Sequence, residues 1–344
     1  MGESATSREE LFFSIIVPTY NSEKTIRYTL DSIYDQDFDL SQLEILVIDG
    51  GSTDLTLSIA AEYDRVRILN NPQKLPEYAK AIGHRNAIGK YVIRMDSDEE
   101  FTYSDQLMDK RAFLESHPDI RVLLSNGYKV GRDELCGVSA AYMNILGDPF
   151  SYFVYSIKGD RYQCNKTRAV WEDDRSVIFQ FGEDDVYPLA DSTTCCYSLT
   201  YARERYPNEY DTIGFVCDTY ERMIRDDGGR CGLLKRDYIS HNCASTLRVY
   251  FRKLRFRVVN NVFHKNESGF SSHETGNYLP RMIGFVIYCV LVPIPLIDSL
   301  RLMIKFKDAS FGLHFVYVYW VCIELTISYI MKILGKTRYN HSYG

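Results

Sequence analysis

Lys90 to Phe101 reads KYVIRMDSDEEF. The run from Tyr91 to Met95 is mostly apolar and stops abruptly at Asp96-Ser97-Asp98. That pattern predicts a buried strand delivering two carboxylates to its carboxyl-terminal edge. Two aspartates one residue apart repel each other unless a cation sits between them. Hard oxygen donors suit Mg or Mn, and Mg in particular is held by one or two carboxylates together with substrate phosphates. An acidic turn after a strand spells the same three letters, so the motif is weighed with the residues upstream of it.

Upstream, Phe12 to Pro18 (FFSIIVP) is a nearly continuous apolar run ending in Thr19-Tyr20-Asn21. A strand covered on both faces of a parallel sheet reads this way. Ser22 and Glu23 lead into a helical pattern through Ile26, Leu30 and Ile33. Leu43 to Ile48 is a second run, stopped by Asp49-Gly50-Gly51-Ser52-Thr53-Asp54 before a helix over Leu55 to Tyr63. A third strand, Val66 to Leu69, precedes a helix over Tyr78 to Ile88. This alternation predicts an α/β fold: a parallel sheet with helices on both faces and ligands beyond the carboxyl ends of its strands. Singly, Ser52 or Asp54 reads as a helix cap and Gly50-Gly51 as a turn. Three polar stops at three strand ends predict one shared crevice.

Ser14 to Asn21 (SIIVPTYN), Ile48 to Asp54 (IDGGSTD), Arg85-Asn86 and Asp96-Ser97-Asp98 resemble, in order and spacing, the family 2 glycosyltransferases. The likeness is strong over roughly the first hundred residues and weaker over Gly214 to His241. It implies an A-type glycosyltransferase fold, Rossmann-like with a mixed, mainly parallel sheet, and a nucleoside-diphosphate sugar as donor. Residue by residue, it implies that Pro18, Tyr20 and Asn21 shape the nucleoside pocket, that Asp49 meets the base and that Arg85 lies near the diphosphate. It further implies that Asp96 faces the sugar nucleotide and that Asp98 holds a Mg or Mn ion, with Asp96 and His241 as further ligands. The family often has Glu directly after the Asn; Ser22 stands here and Glu23 follows, which leaves the ribose contact open. The cation's task is to neutralise the departing nucleoside diphosphate.

Beyond Leu124 the alternation breaks down. Leu135, Val138, Tyr142, Ile145 and Leu146 make one helical apolar face ending at Gly147-Asp148-Pro149, read as packing on the sheet or as part of an acceptor-selecting region. Transfer needs a general base for the acceptor's proton. Two acidic clusters compete for that role: Glu183-Asp184-Asp185, after a strand-like Val177 to Phe181, and Asp218, near the start of a helix over Val216 to Arg225. The family places an acidic pair at a helix start, a glycine about ten residues on and a histidine after the next strand. Cys217-Asp218, Gly229 and His241 follow that order, with Cys217 in place of the first acid. On that order Asp218 is favoured over Asp184, and a positive helix end is expected to hold it ionised.

Thr246 to Phe263 reads as an amphipathic helix, with Leu247, Tyr250, Phe251, Leu254, Val258 and Val262 on one face and Arg248, Arg252, Lys253, Arg255 and Arg257 crowding the other. Such a pattern predicts a helix lying in a membrane interface. Met282 to Ile297 is uncharged but short and holds Pro293 and Pro295, so it either spans with a kink or re-enters. Phe311 to Met331 carries Glu324 as its only charge and is long enough to be read as a transmembrane helix. Basic residues lie on both sides of it, so charge does not orient it.

A net charge of -6 over 344 residues gives no reason to expect nucleic acid. The opening MGESATSREE lacks an apolar signal core, so the catalytic region is expected to stay on the cytosolic side. Nine cysteines without a CxxC pair predict reduced thiols and argue against structural zinc. The expected organisation is a catalytic domain over 10–245, divided into a nucleotide-sugar half (10–124) and an acceptor half (125–245), a basic interfacial helix over 246–263 and membrane segments over 281–335. The expected activity is inverting, metal-dependent sugar transfer to a lipid-linked acceptor, a polyprenyl phosphate or polyprenyl-diphosphate saccharide, at the cytoplasmic face of the cell membrane. Two other readings stand beside it. Cys217 and Ser22 fit a membrane protein that binds a nucleotide sugar without turning it over. A nucleotidyltransferase wants a glycine-rich basic loop after the first strand, which Thr19-Tyr20-Asn21 does not supply.

Overall fold

The computed structural model describes residues 11–183, 185–188, 193–243, 246–263 and 279–337. The amino-terminal decapeptide and Asp184 lie outside the described residues. The chain divides into two compact units, Met1–Ser125 with Ala190–Leu234, and Asn126–Leu189 with Lys235–Gly344.

Numbered along the chain, the first unit opens with β1 (Phe13–Thr19), α1 (Ile26–Tyr34), β2 (Leu43–Asp49), α2 (Thr56–Ala60), β3 (Val66–Asn70), α3 (Pro76–Asn86), β4 (Tyr91–Arg94), β5 (Glu99–Phe101), α4 (Gln106–Ser116) and β6 (Val122–Leu124). The second unit follows with β7 (Gly127–Val130), α5 (Ala140–Leu146), α6 (Pro149–Val154), α7 (Arg161–Asn165), β8 (Ala169–Glu172) and β9 (Ser176–Gln180). The chain then returns to the first unit for β10 (Cys196–Ser198), α8 (Leu199–Arg205), α9 (Ile213–Asp226) and β11 (Arg230–Leu234). It ends in the second with β12 (Tyr238–His241), α10 (Leu247–Phe263), α11 (Leu279–Val290), α12 (Pro293–Phe306) and α13 (His314–Ile333).

In the first unit the strand order is β3-β2-β1-β4-β10-β6-β11. The strands β3, β2, β1 and β4 run parallel, and β11 runs parallel to β6. Only β10 is reversed, antiparallel to both β4 and β6, which makes the sheet mixed. Every residue of β1 is buried, the signature of a strand sandwiched between helix layers. Register pairs Thr19 with Asp49, so the polar stops of β1 and β2 fall side by side. Helix α3 lies close on β1: a Cβ added at Gly83 would sit 2.5 Å from Ile16 Cγ2, so only glycine allows that approach.

In the second unit β7 and β12 pair in parallel, and β8 and β9 form an antiparallel hairpin. Helices α5, α6 and α10 to α13 share one apolar cluster around Tyr142, Tyr250, Phe285 and Tyr317. Two expectations change here. Helix α5 starts at Ala140, so Val138 precedes it and is half exposed rather than part of its apolar face. The apolar face of α10, Tyr250, Leu254, Val258 and Val262, is buried within that cluster, so the face the sequence offers to a bilayer is covered by protein. All nine cysteines are free.

Candidate active site at the strand ends

Three strand ends of the first unit are knit together by short polar contacts. At the end of β2, the buried Asp49 carboxylate accepts from Gly51 N at 2.9 Å, from Ser52 N at 3.0 Å and from Ser52 Oγ at 2.5 Å. These bonds take up most of a carboxylate's acceptor capacity, so Asp49 shapes the 50–52 loop. Gly51 has a φ of 87°, a conformation suited to glycine. At the end of β1, Asn21 adopts a φ of 49°, its N–H donates to Ser52 Oγ at 2.8 Å, and its Oδ1 accepts from Thr53 N at 2.9 Å. Asparagine tolerates that left-handed geometry better than most residues. Tyr20 beside it is half exposed. Ser22 Oγ lies 2.8 Å from Ser97 Oγ, which joins the end of β1 to the Asp96-Ser97-Asp98 turn.

Asp96 and Asp98 follow β4 directly and are partly exposed. Glu99, which the sequence reading did not single out, is completely buried: its carboxylate accepts from Asp96 N at 2.9 Å and from Thr193 N at 3.3 Å. Its signal was a third acid directly after the Asp96-Ser97-Asp98 motif, hidden behind the two before it. Among the described residues no three His, Cys, Asp or Glu groups converge into a closed metal cage. Two accessible carboxylates nonetheless match the donor set of a hard divalent ion whose remaining positions are filled by phosphate oxygens, so these residues fit Mg or Mn.

Asp218 belongs to α9, which begins at Ile213 with the Thr212 side chain accepting from Phe215 N at its cap. Asp218 is therefore the sixth helical residue and lies past the turn where the helix dipole acts. The expectation of a carboxylate held ionised by a helix start is corrected: burial pushes the Asp218 carboxyl above its ordinary range, with Arg222 and Arg225 opposing. Its Oδ1 is buried and has no hydrogen-bond partner among the described residues. A carboxyl raised in this way is better suited to accept a proton near neutrality than an ordinary surface aspartate.

A wholly buried network, also missed from sequence, ties α9 to β4. Arg94, the last residue of β4, donates from Nη1 to the Val216 carbonyl at 2.9 Å and from Nη2 to Thr219 Oγ1 at 2.6 Å. Its guanidinium also faces His84 Nε2, at 3.2 Å from Nε and 2.9 Å from Nη2. With its Nε2 accepting, His84 carries its proton on Nδ1 and donates to the Tyr210 carbonyl at 2.9 Å. The signal was a lone arginine inside an apolar strand.

Arg85 is mostly exposed and pairs with Asp211 at 2.8 Å. Pro18 lies within β1. His241 belongs to β12 in the second unit, where its Nδ1 lies 3.0 Å from Asn144 Oδ1 and its ring is 4.6 Å from that of Tyr128. Asp185 of the competing acidic cluster is paired with Arg168 at 2.6 Å, which holds its carboxyl below the ordinary range.

Residues 14–127, which contain all three knitted strand ends, match the model of the family described as Glycosyl transferase family 2. The chain carries a family 2 glycosyltransferase domain. Over 121 residues it is 36% identical to the poly(ribitol-phosphate) beta-N-acetylglucosaminyltransferase TarS of Staphylococcus aureus (strain Mu50 / ATCC 700699), a match covering 33% of this chain and 21% of that protein. Over 88 residues it is 38% identical to a dolichyl N-acetyl-alpha-D-glucosaminyl phosphate 3-beta-D-2,3-diacetamido-2,3-dideoxy-beta-D-glucuronosyltransferase of Methanococcus voltae, covering 24% of this chain and 27% of that one. The chain thus spans about a quarter or less of the length of these relatives. The solved mannosyltransferase PcManGT of Pyrobaculum calidifontis, in complex with GDP-Man and Mn2+, shares the fold at a TM-score of 0.52 and 17% identity, covering 91% of this chain and 86% of that one.

Proposed function

We propose that the protein transfers a sugar, with inversion and with the help of a divalent cation, from a nucleoside-diphosphate sugar to a lipid-linked acceptor, a polyprenyl phosphate or a polyprenyl-diphosphate saccharide. The observation that carries this reading is the joining of three strand ends of the matched domain through Asn21, Asp49, Ser22 and Ser97. That arrangement leaves a rigid loop and two accessible aspartates at the mouth where such folds bind ligands. Support for the acceptor comes from the Methanococcus voltae relative, whose name includes a dolichyl-linked sugar phosphate, and from the apolar helices α11 to α13. The site of action is the cytoplasmic face of the cell membrane.

In this mechanism the 50–52 loop and Tyr20 hold the nucleoside, while Arg85 lies toward the diphosphate. Asp96 and Asp98 would hold Mg or Mn, which when bound neutralises charge on the leaving nucleoside diphosphate. Asp218 takes the proton of the acceptor hydroxyl as that oxygen attacks the anomeric carbon from the face opposite the leaving group, and a single displacement of this kind inverts the centre. Arg94 keeps α9, and with it Asp218, in register with β4.

A donor screen scoring nucleotide release with Mn or Mg and a polyprenyl phosphate or polyprenyl-diphosphate saccharide tests the proposal. Release should appear with one donor, vanish in EDTA and vanish in Asp98→Asn, whose amide keeps the shape but not the charge. Undiminished release in EDTA and in Asp98→Asn would remove the metal from the mechanism. A donor that binds but is never released with any lipid acceptor would favour the non-catalytic binding reading, to which Cys217 and Ser22 point.

A further inference from the structure

In water a surface helix turns its polar side outward; α11 to α13 do the reverse. Helix α13 buries His314, Glu324 and Ser328 against the protein and exposes Val316, Ile323, Ile327, Ile330 and Ile333. Helix α11 packs Phe285, Tyr288 and Cys289 inward and exposes Ile283, Val286, Ile287 and Val290. Helix α12 packs Pro295, Ser299 and Leu302 inward and exposes Ile294, Leu296, Ile297, Leu300 and Ile304, with the long basic side chains of Arg301 and Lys305 exposed among them toward its carboxyl end, as at a headgroup boundary. Exposed apolar area on this scale marks an interaction surface.

We propose that these outward faces dock into one leaflet of an anionic bilayer and that none of the three helices crosses it. Helices α11 and α12, of 12 and 14 residues, are about 18 and 21 Å long, short of the roughly 30 Å hydrocarbon core. They meet at a bend of 96°, so the chain enters at α11, turns at Leu291 and Val292, both exposed, and returns along α12. Helix α13, with 20 residues, is long enough to span, but α10 runs beside it in the same direction. The Phe251 carbonyl accepts from Trp320 Nε1 at 3.2 Å, and the Val262 carbonyl accepts from Lys332 Nζ at 2.8 Å. A crossing α13 would carry α10 with it, and the cations Arg248, Arg252, Lys253, Arg255 and Arg257 would enter hydrocarbon, where charge is costly.

Charge names the lipid. Leu247, Arg248, Phe251, Arg252, Arg255 and Trp320 line a cleft of about 500 Å³ where α10 meets α13. Among the described residues none of the three arginines is in an ion pair, and three guanidinium forks beside an aromatic wall suit the phosphates of anionic lipid. The inference rests on the membrane attachment included in the proposed function and is independent of the transfer chemistry.

The test uses the full chain in sealed membrane vesicles. Ala309→Cys and Lys336→Cys flank α13, and Gln73→Cys reports the first unit; each is exposed, and labelling by an impermeant maleimide is read peptide by peptide so that native cysteines do not interfere. Equal labelled fractions at all three positions, before detergent, are expected. Complementary fractions at Ala309→Cys and Lys336→Cys would overturn the proposal in favour of a spanning α13. Purified protein should also bind phosphatidylglycerol vesicles, and the Arg248→Gln, Arg252→Gln, Arg255→Gln triple variant should bind them roughly tenfold or more weakly at low salt. Undiminished binding by the triple variant would overturn the arginine assignment. A stable dimer that buries the apolar faces and ignores vesicles would overturn the docking surface, while leaving the donor screen to judge the activity by itself.

Discussion

Arg94 Nη1 donates to the Val216 carbonyl at 2.9 Å, so the strand that ends at Asp96-Ser97-Asp98 and the helix that carries Asp218 are joined through one buried guanidinium. Replacing it by methionine keeps much of the volume but removes the charge-assisted bonds to the Val216 carbonyl, Thr219 Oγ1 and His84 Nε2, leaving His84 Nε2 with the Tyr197 hydroxyl at 2.6 Å and Thr219 Oγ1 donating to the Phe215 carbonyl at 2.6 Å. Arg94→Met is therefore expected to lower the free energy of unfolding by about 3 kcal/mol, read from the urea midpoint. An unchanged midpoint would mean that the network contributes nothing to the fold.

His84 is wholly buried, and burial first, then the Arg94 charge, holds its pKa well below the ordinary 6.5. A base whose pKa falls on folding binds its proton more readily when unfolded. Its contribution to stability is whole above about pH 6.5 and declines as the pH drops below it, by up to about 1.4 kcal/mol per pH unit. Between pH 7.5 and 5.5 the parent should lose about 1 kcal/mol more than His84→Gln. Parallel losses would show that His84 titrates alike folded and unfolded.

Asp218, lifted by burial above the ordinary carboxyl value of 3.8, must be unprotonated to act as a base. Activity should fall as pH is lowered through that raised pKa, with the acid limb of kcat/KM above the ordinary value. Asp218→Asn should bind the donor like the parent and turn over roughly a hundredfold to ten-thousandfold more slowly. Parental turnover in Asp218→Asn together with a dead Asp184→Asn would move the base to the other acidic cluster.

Gly83→Ala offers a purely steric test. Alanine favours a helix by about 1 kcal/mol, but here its methyl would lie 2.5 Å from Ile16 Cγ2. Overpacking of that kind costs about 1–3 kcal/mol, so a net loss of stability is expected, partly restored by Ile16→Val. A stabilised Gly83→Ala would show that α3 can lift off β1 at little cost.

The parallel half of the first unit was legible because β1 and β2 are covered on both faces and so read as unbroken apolar runs, each ended by a polar residue the sheet does not cover. The positions of Asn21, Asp49, Asp96 and Asp98 beyond those runs follow from the same rule. The strand β10 was not legible: three residues, Cys196 to Ser198, are too few to show a period. The start of α9 was placed three residues late because Ile213 and Gly214 lack helical pattern, and that error put Asp218 at a dipole it does not reach. The periodicity of α10 was read correctly, but a pattern of apolar residues names a buried face without naming what buries it, and α13 lies about seventy residues away. Arg94 stood in plain view as a charge in a strand, yet its partners, Val216 and Thr219, lie more than a hundred residues on.

The reversed strand β10 also sets a timetable. Helices and strands up to β6 leave the ribosome first, and the chain then builds β7 to β9 before the residues that fill the gap between β4 and β6 emerge. That wait covers about seventy residues, or roughly 4–14 s at usual rates of synthesis. Throughout it the nascent chain presents an open β4 edge lined by Val92 and Ile93, both of which end up fully buried, and unpaired edges are templates for aggregation. Overproduction should therefore fail first at this stage of translation, and slowing initiation, so that fewer half-made chains meet, should raise the soluble yield.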